Sequence, residues 1–516
     1  MENEFSYANL RDEIIETYKK EVNNFEKQVF GINLRINRSR IRDIASFMAK
    51  KGANLMNLII NDLGERYELV YEYYFKALKE SNFWFLITLV SKVVNEIDSI
   101  GGIFPHAKFY EQEITKRFGF IFRSFIEKEE RSIFSVPFLL KPKNSKRNLL
   151  PMGIYNKIHN NNYYFHLEIE NDKIVSVSEK TGWLYRGIIP LMHYKDLFED
   201  NIRLTKRICH TSSFHHNIAY ILAIEQIANI HVQNRVNLIR TLFCEFERFE
   251  NHLLWFINLF YLLNHSKASL LLLKKSFELT SLYEKYFHCH FLDDSNSLGY
   301  IQDISFEDLK EIYEISDQFL PKIIEQINLK LYNKNIEKKI EGLGLIPKDK
   351  SFITGVTGPC LRACGIDYDI RKTKPYLSYS DKEILQILDK ENYNKGDVFA
   401  RSETRLGEMN NSKMIIKTII EKIVEDKSKI EPLETTRFKL PSEAIGISQL
   451  ESPHGELLYY IKTADHPGLA NLANVYISTP SLKNFTALNS ILINEMIPNF
   501  QLIVHSMDLN FYEIDL

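Results

Sequence analysis

The sequence predicts an α+β protein, with a small N-terminal α+β domain joined to a larger, mainly α-helical domain carrying small peripheral β elements. Three observations predict it. Residues 1 to about 135 mix helical patterns with short apolar runs, "LMNLIIND" and "FWFLITLV". The basic stretch "LLKPKNSKRNLLP" (139–151) is bracketed by prolines and has the composition of a linker. From about 214 to 290 the apolar positions recur at helical spacing over several long segments. The expected organisation is therefore a domain at 1–138, a linker at 139–151 and a second domain at 152–516.

Each element follows from its own pattern. "YYFHLEIENDKIVSVSEKTGW" alternates and carries a turn at Asn171-Asp172, which predicts a hairpin. In "NIAYILAIEQIANI", residues 218, 221, 224 and 228 share one helical face, and "VNLIRTLFCEFERFENHLLWFINLFYLL" continues the period. Residues 305–345 and 410–427 supply more helix. From 440 onward the chain is short segments broken by Gly and Pro.

Composition narrows the function. With 65 Lys+Arg against 67 Asp+Glu, the net charge of −2 argues against a nucleic-acid partner. Five cysteines (209, 244, 289, 360 and 364) without a dense framework suit a reducing, cytoplasmic compartment. The charged start "MENEFSYANLRDEIIETYKK" predicts no signal peptide. The longest apolar runs, "LLWFINLFYLL" and "FWFLITLV", fall short of the roughly 20 residues that span a bilayer. Work at a membrane would then depend on partner subunits.

Charges sit inside the helical patterns. "RTLFCEFERFENH" places Arg240, Glu247 and Asn251 on one face by steps of seven and four, with Arg248 and His252 one step of four apart. Glu225 shares a stripe with Ile221 and Ala228. Buried charges are costly unless paired, so an internal ion network or a proton route would account for them. Side chains snorkelling from half-exposed helices are the other reading.

Three ordered stretches then stop being generic. "GPCLRACGIDYDIRKTKPYLSY" carries Gly358, Pro359, Arg362, Gly365, Asp369 and Arg371. "GDVFARSETRLGEMNNSKMII" carries Gly396, Asp397, Arg401, Arg405, Glu408 and Met409. "ESPHGELLYYI" follows at 451–461. With Arg240, Glu245, Arg248, Asn251 and His252, they resemble the superfamily shared by the 49-kDa subunit of respiratory complex I and the group 4 membrane-bound NiFe hydrogenases. Upstream, "FPHAKFYEQEITKRFGFIF", with Glu111, Glu113, Phe118 and Gly119, resembles the signature of the 30-kDa complex I subunit. Such a fusion is the layout of hydrogenase-4 component G and formate hydrogenlyase large subunits.

The resemblance implies an oxidoreductase subunit of a complex I-like or hydrogenase-4-related assembly, an NADH:quinone oxidoreductase or a relative of one. Linked expectations are NAD-dependent electron transport, proton translocation and a peripheral position at the cytoplasmic face of the inner membrane. The implied partners are an iron–sulfur subunit holding a [4Fe-4S] cluster and the membrane-arm subunits. In the hydrogenase branch two CxxC motifs hold nickel and iron. Here "ICHTSS" keeps only Cys209, and the tail "HSMDLNFYEIDL" has no cysteine. One thiolate does not make a binuclear soft-metal site. No NiFe centre, no other metal ligand and no cofactor bound by this chain are expected.

The tail instead matches a complex I ending through Ser506, Asp508, Glu513 and Asp515, so the resemblance implies a pocket for a quinone headgroup. Tyr220, five residues before Glu225, takes the place of the family's headgroup tyrosine; a phenol can donate to a quinone carbonyl. These two are the candidate catalytic residues. Candidate pocket or proton-route residues are Asn156, His159, Arg240, Arg248, His252, Arg362, His454, Glu456, Asp508 and Glu513. Departures from the pattern are Tyr185 for a histidine, Ile189 for a glutamate and His454 for an arginine. A non-catalytic scaffold that couples to a cation-transporting membrane arm is the second reading, and a true hydrogenase the third.

Overall fold

The computed structural model describes residues 7–18, 22–28, 31–76, 78, 82–123, 148–152, 164–194, 198–287, 292–352, 354–388, 395–431, 440–465 and 472–516. The chain divides into two compact units, Met1–Leu140 with Phe352–Gly355 and Lys141–Ser351 with Val356–Leu516. Both mix helix and strand, the second mainly helical, as the sequence predicts.

The first unit is built on a five-stranded sheet of β1 (Val22–Gln28), β2 (Gly31–Ile36), β3 (Ala53–Asp62), β4 (Arg66–Phe75) and β5 (Phe83–Ser91), in the order β1-β2-β5-β4-β3. Within this sheet only β2 and β5 pair in parallel. "LMNLIIND" lies in β3 and "FWFLITLV" in β5, both largely buried. Helix α1 is Tyr7–Thr17. Helix α2 (Ile41–Lys50) buries Ile41, Ile44, Ala45 and Met48, the three-four spacing of one face. Helix α3 (Ala107–Phe118) ends at Gly119, whose φ of +63° is the left-handed cap that glycine accepts without strain. From α3, buried Glu111 accepts hydrogen bonds from the Ser99 hydroxyl (2.6 Å) and the Ile100 amide (2.9 Å). Burial pushes its carboxyl up to about 7. The two signature residues thus act as a brace and a stop.

In the second unit the predicted hairpin forms β7 and β8 (Tyr164–Glu170 and Lys173–Lys180), with β6 (Asn148–Met152) at the edge of β7. Asn171 and Asp172 both take positive φ, as a two-residue hairpin turn requires. The helical body is α4 (Ser213–Ile227), α5 (Asn234–Leu262), α6 (Ser266–Phe287), α7 (Phe306–Leu331) and α8 (Val398–Glu425). Helix α5 packs along α8 and α6, and α7 along α8. Helix α4 is buried on nearly every face, which needs cover on all sides. It lies on an antiparallel sheet of β9 (Ile445–Ser452), β10 (Gly455–Thr463) and β11 (Leu472–Ser478).

Two sequence expectations shift here. Helix α8 begins at Val398 rather than 410, because Asp397 caps it by accepting from the Ala400 amide at 2.8 Å. Its first turns hide their period behind Arg401, Arg405 and Glu408, all buried. The stretch from 440 is an ordered sheet whose turn matters. Glu451 pairs with Glu456 and Ser452 with Gly455, leaving Pro453 and His454 alone at the tip. Gly358 abuts that turn, and a Cβ there would lie 2.4 Å from the Gly455 Cα. The glycines of two separate motifs are needed so that these backbones can touch.

Candidate active-site pocket

Four elements meet around His454: its own turn, the loop 209–212 that leads into α4, the middle of α5, and the C-terminal tail. The His454 Nδ1 donates to the Asp508 backbone carbonyl at 3.1 Å and lies 3.0 Å from the Asp508 carboxylate, with which it forms an ion pair. Its Nε2 lies 3.0 Å from the Thr211 hydroxyl, 3.1 Å from the Asn251 amide nitrogen and 3.8 Å from the Cys209 sulfur. Burial works against a charge on this imidazole, but Asp508 outweighs it and holds the pKa well above the ordinary value. Asp508 sits at φ +54°, and despite its burial, His454 and Arg405 hold its carboxyl below the usual range.

Arg405, from α8, is fully buried with its guanidinium 4.5 Å above the Trp255 ring and 3.6 Å from Asp508. Its Nη1 donates to the Arg401 carbonyl, while Nε and Nη2 complete no hydrogen bond among the described residues. It lies beside the Cys360 thiol without closing that geometry. A buried cation with spare N–H groups can receive an oxygen ligand at little rearrangement.

The tail closes the other side. Its short helix Phe511–Ile514 is capped by Asn510, whose side-chain amide also donates to the Cys209 sulfur at 2.9 Å. Glu513 accepts from His216 Nε2 at 3.3 Å and from the Ser481 amide at 3.3 Å. Burial raises its carboxyl, and the two histidines His216 and His454 more than offset that, bringing it down to about 2. Asp515 takes the amides of Gly182 and Leu184. The family ending thus anchors the tail as much as it lines the pocket.

Beside the pocket lies a buried ion cluster whose carboxylates and guanidiniums are paired with one another. Arg362 binds Glu408 through Nε (3.0 Å) and Nη2 (2.7 Å), and Glu451 through Nη1 (2.7 Å). Arg371 forks onto Asp369 and reaches Glu245 at 3.2 Å. Arg248 holds Glu245 and the carbonyls of Glu451 and Ser452. His252 bonds Glu408 at 2.9 Å. Burial raises the Glu245 carboxyl, but Arg248 and Arg371 bring it down to about 2; burial leaves Glu451 up at about 7. Glu456 is held separately by Lys483, Tyr368 and Gln449.

The sequence candidates therefore separate. His454, Asp508 and Glu513 reach the pocket, while Arg248, His252 and Arg362 belong to the ion cluster. Glu225 is forked by Arg240 at 2.7 and 3.0 Å and takes the Gly299 amide at 2.6 Å, so its carboxylate is committed to a structural pair. Tyr220 is fully buried; the Asn201 amide lies beside its hydroxyl, which completes no hydrogen bond among the described residues. Asn156 and His159 lie outside the described residues. Arg240, Glu247 and Asn251, one face by spacing, serve three different partners. Glu247 takes the amides of Phe214 (2.7 Å) and His215 (2.9 Å) at the start of α4, and burial pushes it up to about 7. Thr211, Asn251, Arg405 and Asn510 were missed as pocket residues. Asn251 and Arg405 carried a signal, their places in matched motifs.

A NiFe centre does not fit. Of the four free cysteines described, only Cys209 faces the pocket's His454, Thr211 and Asn510. Cys364 bonds the Cys360 carbonyl and Cys244 is buried in α5. The four soft ligands are missing.

Known proteins carry the same architecture. The family model of the respiratory-chain NADH dehydrogenase 49 Kd subunit matches residues 296–444. A D subunit of the NADH-quinone oxidoreductase of Thermodesulfovibrio yellowstonii is 28% identical over 376 residues, 67% of this chain and 92% of that one. The D subunit of the Geobacter metallireducens NADH-quinone oxidoreductase is 25% identical over 372 residues, 68% and 93% of the two chains. A chain of the membrane-bound sulfane sulfur reductase, an archaeal respiratory membrane complex, shares the fold with a TM-score of 0.65 at 24% identity, covering 73% of this chain and 100% of that one. The class these likenesses point to is that of large subunits of respiratory membrane oxidoreductases, and they support the resemblance to the superfamily of the complex I 49-kDa subunit and the group 4 hydrogenase large subunit. No helix among the described residues is long and apolar enough to cross a membrane.

Proposed function

We propose that this chain is the 49-kDa-type subunit of a membrane-associated, complex I-like oxidoreductase, joining an iron–sulfur subunit to the membrane arm and presenting a quinone-like acceptor with a polar pocket. It would sit peripherally, on the cytoplasmic face, with its N-terminal unit in the role of the 30-kDa subunit. One observation carries the reading: the pocket that holds thiolates in the hydrogenase branch is lined here by His454, Thr211, Asn251 and Arg405, donors that bond a carbonyl oxygen, with Asp508 paired to His454. When bound, a quinone supplies the electron sink. The chain's own residues would orient its carbonyl and hold a proton at His454, which Asp508 keeps charged.

The test is quinone reduction by the purified assembly, with and without this chain. Activity that disappears with the chain supports the reading. Activity indifferent to it ends the enzyme reading.

A non-catalytic scaffold is the second reading, favoured by the full commitment of Glu225 to Arg240 and by the exposed Tyr185 where the family pattern has a histidine. Tyr220→Phe separates the two. A scaffold keeps full activity of the complex, and a quinone site that uses the phenol does not.

A further inference from the structure

One residue that the function above leaves unexplained, the solitary Cys209, comes together with His454, which stands where the family pattern has an arginine, and with a third. The Cys209 sulfur, one His454 ring nitrogen and one Glu513 carboxylate oxygen all lie within 4.8 Å of one another, and all three residues are buried. We propose that Cys209, His454 and Glu513 bind a single divalent transition-metal ion of the zinc or iron(II) class.

The donor set is one sulfur, one nitrogen and one oxygen, the mixture that borderline-soft ions take. Bond lengths of about 2.3 Å to sulfur and 2.0–2.1 Å to nitrogen in a tetrahedron separate those ligands by roughly 3.5 Å. The observed separation of Cys209 Sγ and His454 Nε2 is 3.8 Å, so that pair needs a contraction of only tenths of an ångström, while the Glu513 carboxylate, within 4.8 Å, swings in to complete the set. An ion there takes the place of the contacts that Nε2 makes with Thr211 and Asn251.

The second, independent observation is how the ligands are held. His454 donates from Nδ1 to the Asp508 carbonyl beside the Asp508 carboxylate, so the proton that an incoming ion displaces comes from Nε2, whose lone pair then faces Cys209. Carboxylate–histidine pairs of this kind orient metal ligands and raise their basicity. The Asn510 amide donates to the Cys209 sulfur, a contact that stabilises a thiolate. His216 and the Ser481 amide orient Glu513. The His454 turn is itself clamped by the Gly358–Gly455 contact. As the S–metal and N–metal bonds form, the Cys209 thiol and the charged His454 Nε2 each give up a proton to solvent, and nothing is oxidised or reduced. The bound ion ties three remote parts of the chain together, the loop before α4, the β9–β10 turn and the C-terminal tail. With three protein ligands, the fourth position is left to water or to a neighbouring hydroxyl.

Cobalt(II) titrated into the metal-free full chain tests this without reference to turnover. The expected result is one equivalent per chain, with a sulfur-to-cobalt charge-transfer band that zinc bleaches by displacement. Cys209→Ser should abolish the band. Asp508→Asn should keep the band and weaken binding about 10–100-fold, which stays informative if the first variant folds poorly. Cys360→Ser should change neither. A titration without the band, a band that survives in Cys209→Ser, or affinity indifferent to Asp508→Asn would overturn the proposal. So would stoichiometric nickel and iron bound together.

Discussion

The ion cluster and the pocket are neighbours built on the same two helices, α5 and α8, and they differ in one respect. In the cluster the carboxylate and guanidinium groups meet partners: Arg362 spans two carboxylates, Arg371 forks Asp369, and Glu245 collects Tyr379, Ser412 and two arginines. In the pocket, the Arg405 Nε and Nη2 complete no hydrogen bond among the described residues, and His454 Nε2 rests among groups that could give way. Buried charge that is fully paired fixes a structure, because removing one partner strands the other. Buried polar capacity left over is capacity for a ligand. The contrast separates residues that sequence motifs lump together.

Breaking the paired side should have the largest effect. Arg362→Met leaves Glu408 and Glu451 without their cation and should cost about 3–5 kcal/mol of stability, seen as a lower denaturant midpoint and poor assembly. Glu225→Gln keeps shape but loses the charge opposite Arg240, and should cost about 1.5–3 kcal/mol by the same measurement. Unchanged stability in that variant would reopen Glu225 as a proton carrier.

A pH titration sharpens the comparison further. Glu247 has its folded pKa raised from 4.5 to about 7, so the folded state holds its proton more tightly than the unfolded chain does. Its contribution is therefore full below about pH 4.5 and is lost as the pH rises through about 7. Glu513, lowered from 4.5 to about 2, does the opposite, and its contribution is lost as the pH falls toward 2. Glu247→Gln should flatten the decline of Tm between pH 4.5 and 7 and leave the acid limb in place. Tyr220→Phe should move stability least, by under about 0.5 kcal/mol, since the hydroxyl it removes completes no hydrogen bond.

Local pattern made much of this legible. The hairpin at 171–172, the two apolar runs that became β3 and β5 and the helices of 213–287 follow from alternation, apolar clustering and helical period, which are properties of adjacent residues. The start of α8 did not, because Arg401, Arg405 and Glu408 read as solvent-facing until their partners in other segments are known. The pocket was half legible. His454, Asp508 and Glu513 came from motif matching, whereas Thr211 and Asn510 converge on them from two segments with no shared spacing. Glu247 shows the limit most clearly. Its helix face was read correctly, yet its partner is the first turn of another helix, a tertiary fact no periodicity encodes.

The central claim is that the unsaturated pocket works and the paired cluster supports. Arg405→Met tests it most directly, by quinone-reductase turnover per assembled complex. The account predicts that the variant assembles and that turnover falls at least about tenfold, near 1.4 kcal/mol of barrier, while Asp508 stays paired with His454. Normal turnover per complex with loss confined to assembly would contradict it, and Arg405 would join Arg362 among the supports.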